Sequence, residues 1–162
     1  MKNKILNPII IFMVGLILGI VSKLFDIYTE ILGNIFSEFA VWILFGTLIS
    51  IYSDNKKKAM INIFLFCIGM LITYYLTAHI TNSIYGWAFI KGWTMFACTS
   101  PIFADLTWMT KEKGVLPLII RIGIIGVSVF SSLFLFTFDV FDLIINLILI
   151  YFLFFKKIKR VN

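Results

Sequence analysis

Basic residues gather at four places in an otherwise oily chain: Lys2/Lys4, Lys56–Lys57–Lys58, Lys111/Lys113 and Lys156–Lys157–Lys159–Arg160. Successive clusters are separated by apolar stretches long enough to cross a bilayer twice. This pattern constrains class and orientation together, because cytoplasmic loops of membrane proteins carry an excess of Lys and Arg. It says nothing of activity. The rest of the composition agrees: of 162 residues 61% are hydrophobic, 14% are charged and 18 are Phe. A soluble domain carries roughly 45–50% apolar and about 25% charged residues. The chain therefore reads as one integral membrane domain, all-α, a polytopic helical bundle.

A spanning helix needs about 20 mostly apolar residues. Six segments meet that need, near 7–24, 36–52, 59–80, 85–108, 115–136 and 140–155. The first begins with a basic start and an apolar run, as a signal peptide does, but lacks an A-x-A-like cleavage site and is expected to stay as a helix. Between the first two spans, Leu24, Ile27, Tyr28, Ile31, Leu32, Ile35 and Phe39 recur at helical spacing. Asp26, Glu30, Asn34 and Ser37 fall mostly on the other side. That pattern predicts an amphipathic interfacial helix or a wet extension of the second span.

With six spans and both termini cytoplasmic, eleven basic residues fall inside, Lys23 and Lys91 fall outside, and Arg121 lies within a span. Asp26, Glu30, Glu38, Asp139 and Asp142 fall outside, a detail that contributes little to orientation. Trp87 and Trp93 near one end of the fourth span, Trp108 near the other and Tyr52 suit an aromatic belt. A net charge of +6 does not indicate nucleic acid here. The charges occupy short loops and the tail, with no basic helix face or stacking platform. The expected partners are the bilayer, anionic inner-leaflet lipid through Lys156, Lys157, Lys159 and Arg160, and a membrane protein.

Charges inside a membrane usually face the bundle interior and pair. Asp105 precedes the turn near Lys111–Gly114 by about as many residues as Arg121 follows it, so a helical rise predicts similar depth. A bridge between them is the expectation. It would lock the hairpin, or serve a ligand or ion. In a third arrangement Arg121 snorkels to lipid phosphates while Asp105 bonds locally. Pro101, within Cys98-Thr99-Ser100-Pro101, predicts a kink in which Thr99 or Ser100 satisfies freed backbone groups. Broken helices often line transporter sites, although a simple kink is commoner.

His79, at the outer end of the third span, reads as an interfacial hydrogen-bonding residue, since one histidine cannot build a zinc site. Asn62 and Asn146 read as interhelical hydrogen-bond partners. Gly15 and Gly19 form GxxxG, and Gly123 and Gly126 thin a face of the fifth span; both suggest close packing. Cys67 and Cys98 fall within spans as small apolar residues. No GxSxG, HExxH, P-loop or CxxC occurs, so the residues offer neither a catalytic constellation nor a cofactor or metal site.

The segments YGWAFIKGW (85–93) and SPIFADLTWMTKEKG (100–114) resemble an uncharacterised family of small multi-span membrane proteins of low-GC Gram-positive bacteria. The resemblance implies a bacterial plasma membrane and carries no activity. Size and span count are also similar to substrate-binding subunits of vitamin-uptake transporters, without a shared residue motif. Two functions follow as expectations. One is a non-enzymatic accessory or interaction protein. The other is a small-solute transporter or binding subunit with a polar site near Asp105 and Arg121.

Overall fold

The structure, a computed structural model, describes residues 6–84, 86–134 and 139–158. Lys2, Lys4, Tyr85, Lys159, Arg160 and the end of the expected fifth span lie outside these residues. Seven helices run in chain order: α1 (Pro8–Tyr28), α2 (Glu30–Ser37), α3 (Phe39–Tyr52), α4 (Lys56–Ile80), α5 (Trp87–Met109), α6 (Val115–Phe134) and α7 (Val140–Ile150). A π-helical turn, Tyr151–Phe155, continues α7.

Local chemistry sets the helix starts. Asn7 caps α1 by accepting from the Ile9 amide at 3.2 Å, with Pro8 in the first turn, where its missing N–H costs nothing. Asn55 caps α4 by accepting from Lys58 N at 2.9 Å. Asp139 and Asp142 form a reciprocal capping box on α7. The turn into α6 passes through Gly114 at φ +135°, a backbone conformation that other residues rarely adopt.

The amphipathic segment is a separate helix, α2, folded back on α1. A Cβ at Gly33 would lie 3.0 Å from the Phe25 carbonyl oxygen, a tight contact that glycine avoids. Thr29 and Glu38, both extended, bound α2. The expected second span is therefore broken at Glu38, and α2 and α3 meet at a 58° bend. The Trp42 indole clamps this corner by donating to the Phe36 carbonyl at 2.9 Å.

The expectation of six apolar spans is corrected to a smaller number. By length and composition, α1, α4 and α6 can each cross a membrane, and the bent α2–α3 pair makes a fourth if it is one span. The 23 residues of α5 include Lys91, Asp105 and several hydroxyls, which dilute its apolar character. The C-terminal run, Val140–Phe155, is too short to qualify.

Contacts fix the relative direction of the helices. The Leu6 carbonyl accepts from Asn62 Nδ2 and the Leu16 carbonyl from Thr73 Oγ1, so α1 and α4 run parallel. Between them, α3 returns: Phe39 stacks on Trp93 at its start, and Ser53, just past its end, bonds Asn62. Trp108 Nε1 donates to the Ser53 carbonyl at 2.9 Å, which makes α5 antiparallel to α4. Ser132 of α6 meets Asp142 of α7, while Tyr52 meets Phe152 near the opposite end. Successive runs therefore alternate. Lys56, Lys57, Lys58, Lys111, Lys113, Lys156 and Lys157 come together at one end, and Asp26, Glu38, Asp139 and Asp142 at the other.

The core is built mainly around α3 and α4, with Ile11, Trp42, Ile49, Ala59, Ile63, Phe66 and Ala104 buried together. A second cluster joins Ala40 and Val41 to Ile145 and Leu149. Large apolar side chains cover much of the outside, among them Ile17, Ile72, Ile119, Phe130 and Leu147. Acyl chains solvate such a surface and water does not.

Candidate functional site

Asp105 and Arg121 do not pair. Asp105 Oδ1 lies 3.8 Å from Lys56 Nζ, and both side chains are partly open at the basic end. Arg121 turns back toward the hairpin, where Nε donates to the Thr110 carbonyl at 2.7 Å and a terminal nitrogen to the Glu112 carbonyl at 3.3 Å. Its guanidinium also sits 5.6 Å from the Phe154 ring. Arg121 thus satisfies carbonyls just past the end of α5 that the helix leaves unbonded. Matched sequence distance from a turn sets depth but not the direction a residue faces around its helix. Charge reversal at both positions is accordingly expected not to rescue reversal at one. Arg121→Gln should cost about 1.5–3 kcal/mol, the range for hydrogen bonds from a charged group, read as a lowered melting temperature in detergent. A melting temperature equal to that of the wild type would contradict the assignment.

Pro101 does not interrupt α5. Proline frees the carbonyl four residues earlier, Ala97, and Ser100 Oγ donates to it at 2.8 Å. Thr99 Oγ1 lies 3.1 Å from both the Met95 and Phe96 carbonyls. The Thr99–Ser100–Pro101 group therefore repairs its own helix. His79 is exposed near the end of α4. Asn62 is fully buried and ties three segments together, donating to the Leu6 carbonyl at 3.3 Å and Ser53 Oγ at 3.0 Å. Asn146 bonds within its own helix, to the Asp142 carbonyl at 2.8 Å. Cys67 and Cys98 are free thiols. Among the described residues no group of three or more His, Cys, Asp or Glu side chains could hold a metal ion.

A large cavity of about 590 Å³ lies among α3, α4, α5 and α6. Trp42, Gly46, Phe66, Trp93, Phe103 and Gly123 are among the residues that shape it. Its wall is overwhelmingly apolar. Of the hydroxyl residues along it, which also include Thr47, Ser50 and Thr107, Ser100 and Ser131 donate to carbonyls of their own helices. Asp105 and Arg121 do not line it. Clefts of about 300–1,000 Å³ hold drug-sized ligands, and this one offers no charge to recognise a polar solute.

A buried polar group at the acidic end escaped the sequence reading, which placed its acids in outer loops. Glu38 and Asp142 are 5% and 0% exposed, and Ser128, Ser131, Ser132 and Asn146 are buried beside them on α6 and α7. The available signal was spacing: Ser128/Ser132 and Asp142/Asn146 each put polar side chains four apart, on one helical face.

Comparison with protein-family models, with curated proteins and with solved structures finds no match. The fold is an all-α helical bundle in which three to four helices are apolar and long enough to span a membrane.

Proposed function

We propose that this chain is a non-enzymatic plasma-membrane protein that holds a lipophilic molecule, an acyl chain or a ligand of similar chemistry, in the cavity between α3, α4, α5 and α6. One observation carries the reading: about 590 Å³ of space in an open-sided cleft between α3, α4, α5 and α6 is walled almost wholly by apolar side chains. Acyl chains surround such a bundle, so the ligand class that fits the wall is also the one at hand. A polar-solute site at Asp105 and Arg121 is disfavoured, because one is engaged by Lys56 and the other by backbone carbonyls.

The basic end faces the cytoplasm in this reading, with Lys156 and Lys157 against anionic headgroups. In intact cells, a cysteine introduced at exposed Lys57 is expected to resist a membrane-impermeant thiol reagent in a Cys67→Ser/Cys98→Ser background, while one at exposed Asn82 reacts. The reverse labelling would invert the orientation.

The cavity is tested with purified protein and a single-chain lipid brominated along its acyl tail. Trp42 and Trp93 line the cavity, so entry should quench tryptophan fluorescence saturably. Unsaturable quenching proportional to lipid, with a variant that fills the cavity behaving like the wild type, would overturn the proposal.

A further inference from the structure

Two carboxyl groups are buried at the junction of α3, α6 and α7 with no ion pair to a basic side chain among the described residues. We propose that Glu38, Asp142, Asn146 and Ser128 form a binding site for a monovalent alkali cation. The inference stands apart from the cavity and its occupant.

The backbone places the first ligand. At the break between α2 and α3, Glu38 is extended (φ −81°, ψ 143°), and its side chain turns inward rather than out to the headgroups. Its carboxyl group comes within hydrogen-bonding reach of that of Asp142. Glu38 Oε2 is buried with no hydrogen-bond partner among the described residues. Asp142 is held more firmly: Oδ1 meets Ser132 Oγ at 2.5 Å, and Oδ2 accepts from the Asp139 amide at 3.2 Å. Asp139 adds a further carboxylate nearby, engaged with the first amides of α7. The ion pairs among the described residues are Lys23–Asp26, Lys56–Asp105 and Lys58–Asp54, and none reaches this group.

Uncompensated charge in such a place is costly, so the two carboxyls need a proton, a cation or both. A shared proton alone would calm the carboxyls and leave neutral oxygens stranded. Asn146 Oδ1 and Ser128 Oγ are also buried without partners among the described residues. They occupy the adjoining layer. Asn146 stands one turn along from Asp142, with its amide nitrogen fixed to the Asp142 carbonyl at 2.8 Å. Ser128 stands one turn from Ser132, the residue that bonds Asp142, and its carbonyl accepts from Ser132 at 3.2 Å. Unpartnered oxygens thus come from three helices: a carboxylate from the start of α3, a hydroxyl from α6 and an amide carbonyl from α7. Hard cations take oxygen ligands of this kind.

Charge selects the valence. Both Asp142 oxygens are already hydrogen-bonded, by the Ser132 hydroxyl and by the Asp139 amide. Glu38 Oε2 is the buried oxygen of the two carboxyl groups left without a hydrogen-bond partner among the described residues. One such carboxylate oxygen beside a neutral hydroxyl and a neutral amide carbonyl matches a cation of +1. The site also lies just behind the cavity wall, since Phe39 and Ser131, chain neighbours of Glu38 and Ser132, line that wall.

The test is a thermal melt and an isothermal titration of the purified full chain. Na⁺, K⁺ and Li⁺ chlorides are compared with choline chloride at constant ionic strength. At least one alkali ion should raise the melting temperature saturably, and its affinity should fall as pH falls, because protons compete with the cation for Glu38, which the Asp142 and Asp139 carboxyls face. Glu38→Gln and Asn146→Ala should each weaken that affinity at least tenfold. Equal melting temperatures in all salts, equal affinity in the variants, or stabilisation only by Mg²⁺, Ca²⁺ or protons would overturn the proposal. If Glu38→Gln fails to fold, Asn146→Ala and the wild-type titration decide the matter.

Discussion

Replacing Gly19 by Ala should cost about 3 kcal/mol or more, the upper part of the range for forcing extra atoms into a packed interior. A Cβ there would lie 2.3 Å from the Met70 carbonyl oxygen and 2.2 Å from Thr73 Oγ1. Rotating the threonine relieves only one of these contacts. The other is backbone, so α1 and α4 must separate. Their seam is tight along its length: at Gly15 a Cβ would come within 2.4 Å of the Phe66 carbonyl, and at Gly69 within 2.8 Å of the Phe12 carbonyl. Separation would also break the 2.7 Å bond from Thr73 Oγ1 to the Leu16 carbonyl. Gly126→Ala is the control, since its added Cβ meets nothing within 4 Å. Alanine is the better helix former by about 1 kcal/mol, so that variant should melt at or slightly above the wild-type temperature. Denaturation in detergent compares the two, and equal midpoints would show that the α1–α4 seam is not as close as described.

Gly123→Phe should empty the cavity of its occupant while leaving the bundle folded. Gly123 lines the cavity, and a Cβ built there meets nothing within 4 Å, so the ring enters open space. The lipophilic molecule retained through purification, measured by mass spectrometry of an organic extract, should fall at least tenfold per mole of protein. Filling apolar space restores dispersion contacts that a void lacks, so the melting temperature should hold or rise. Gly46, on the α3 side of the same cavity and equally unobstructed, should give the same result with Phe. Undiminished retention by both variants would place the occupant elsewhere.

The GxxxG at Gly15 and Gly19 shows how far a motif reaches. The residues promise a close approach of two backbones, and the structure supplies the partner. It is α4 of the same chain, meeting α1 at Gly69, rather than a second molecule. Pro101 is the converse case, because a neighbour already in the sequence, Ser100, repairs the break and leaves α5 continuous.

What the sequence determined by itself was the apolar character of the helices and the polarity of the ends. Apolar runs between lysine clusters make helices long and apolar enough to span a membrane and gather Lys56–Lys58, Lys111, Lys113, Lys156 and Lys157 on one side. Composition and one-dimensional spacing are sufficient for that. Which polar groups meet was decided only by tertiary structure. Depth along a helix follows from residue count, but direction around it depends on how neighbouring helices pack. Arg121 therefore reaches the Thr110 carbonyl and not Asp105. The break at Glu38 was equally hidden, since no proline or glycine adjoins it. Its inward turn converts what read as a loop acid into a buried partner for Asp142. The cavity belongs to the same category, because empty space is a property of several helices at once and of no single segment.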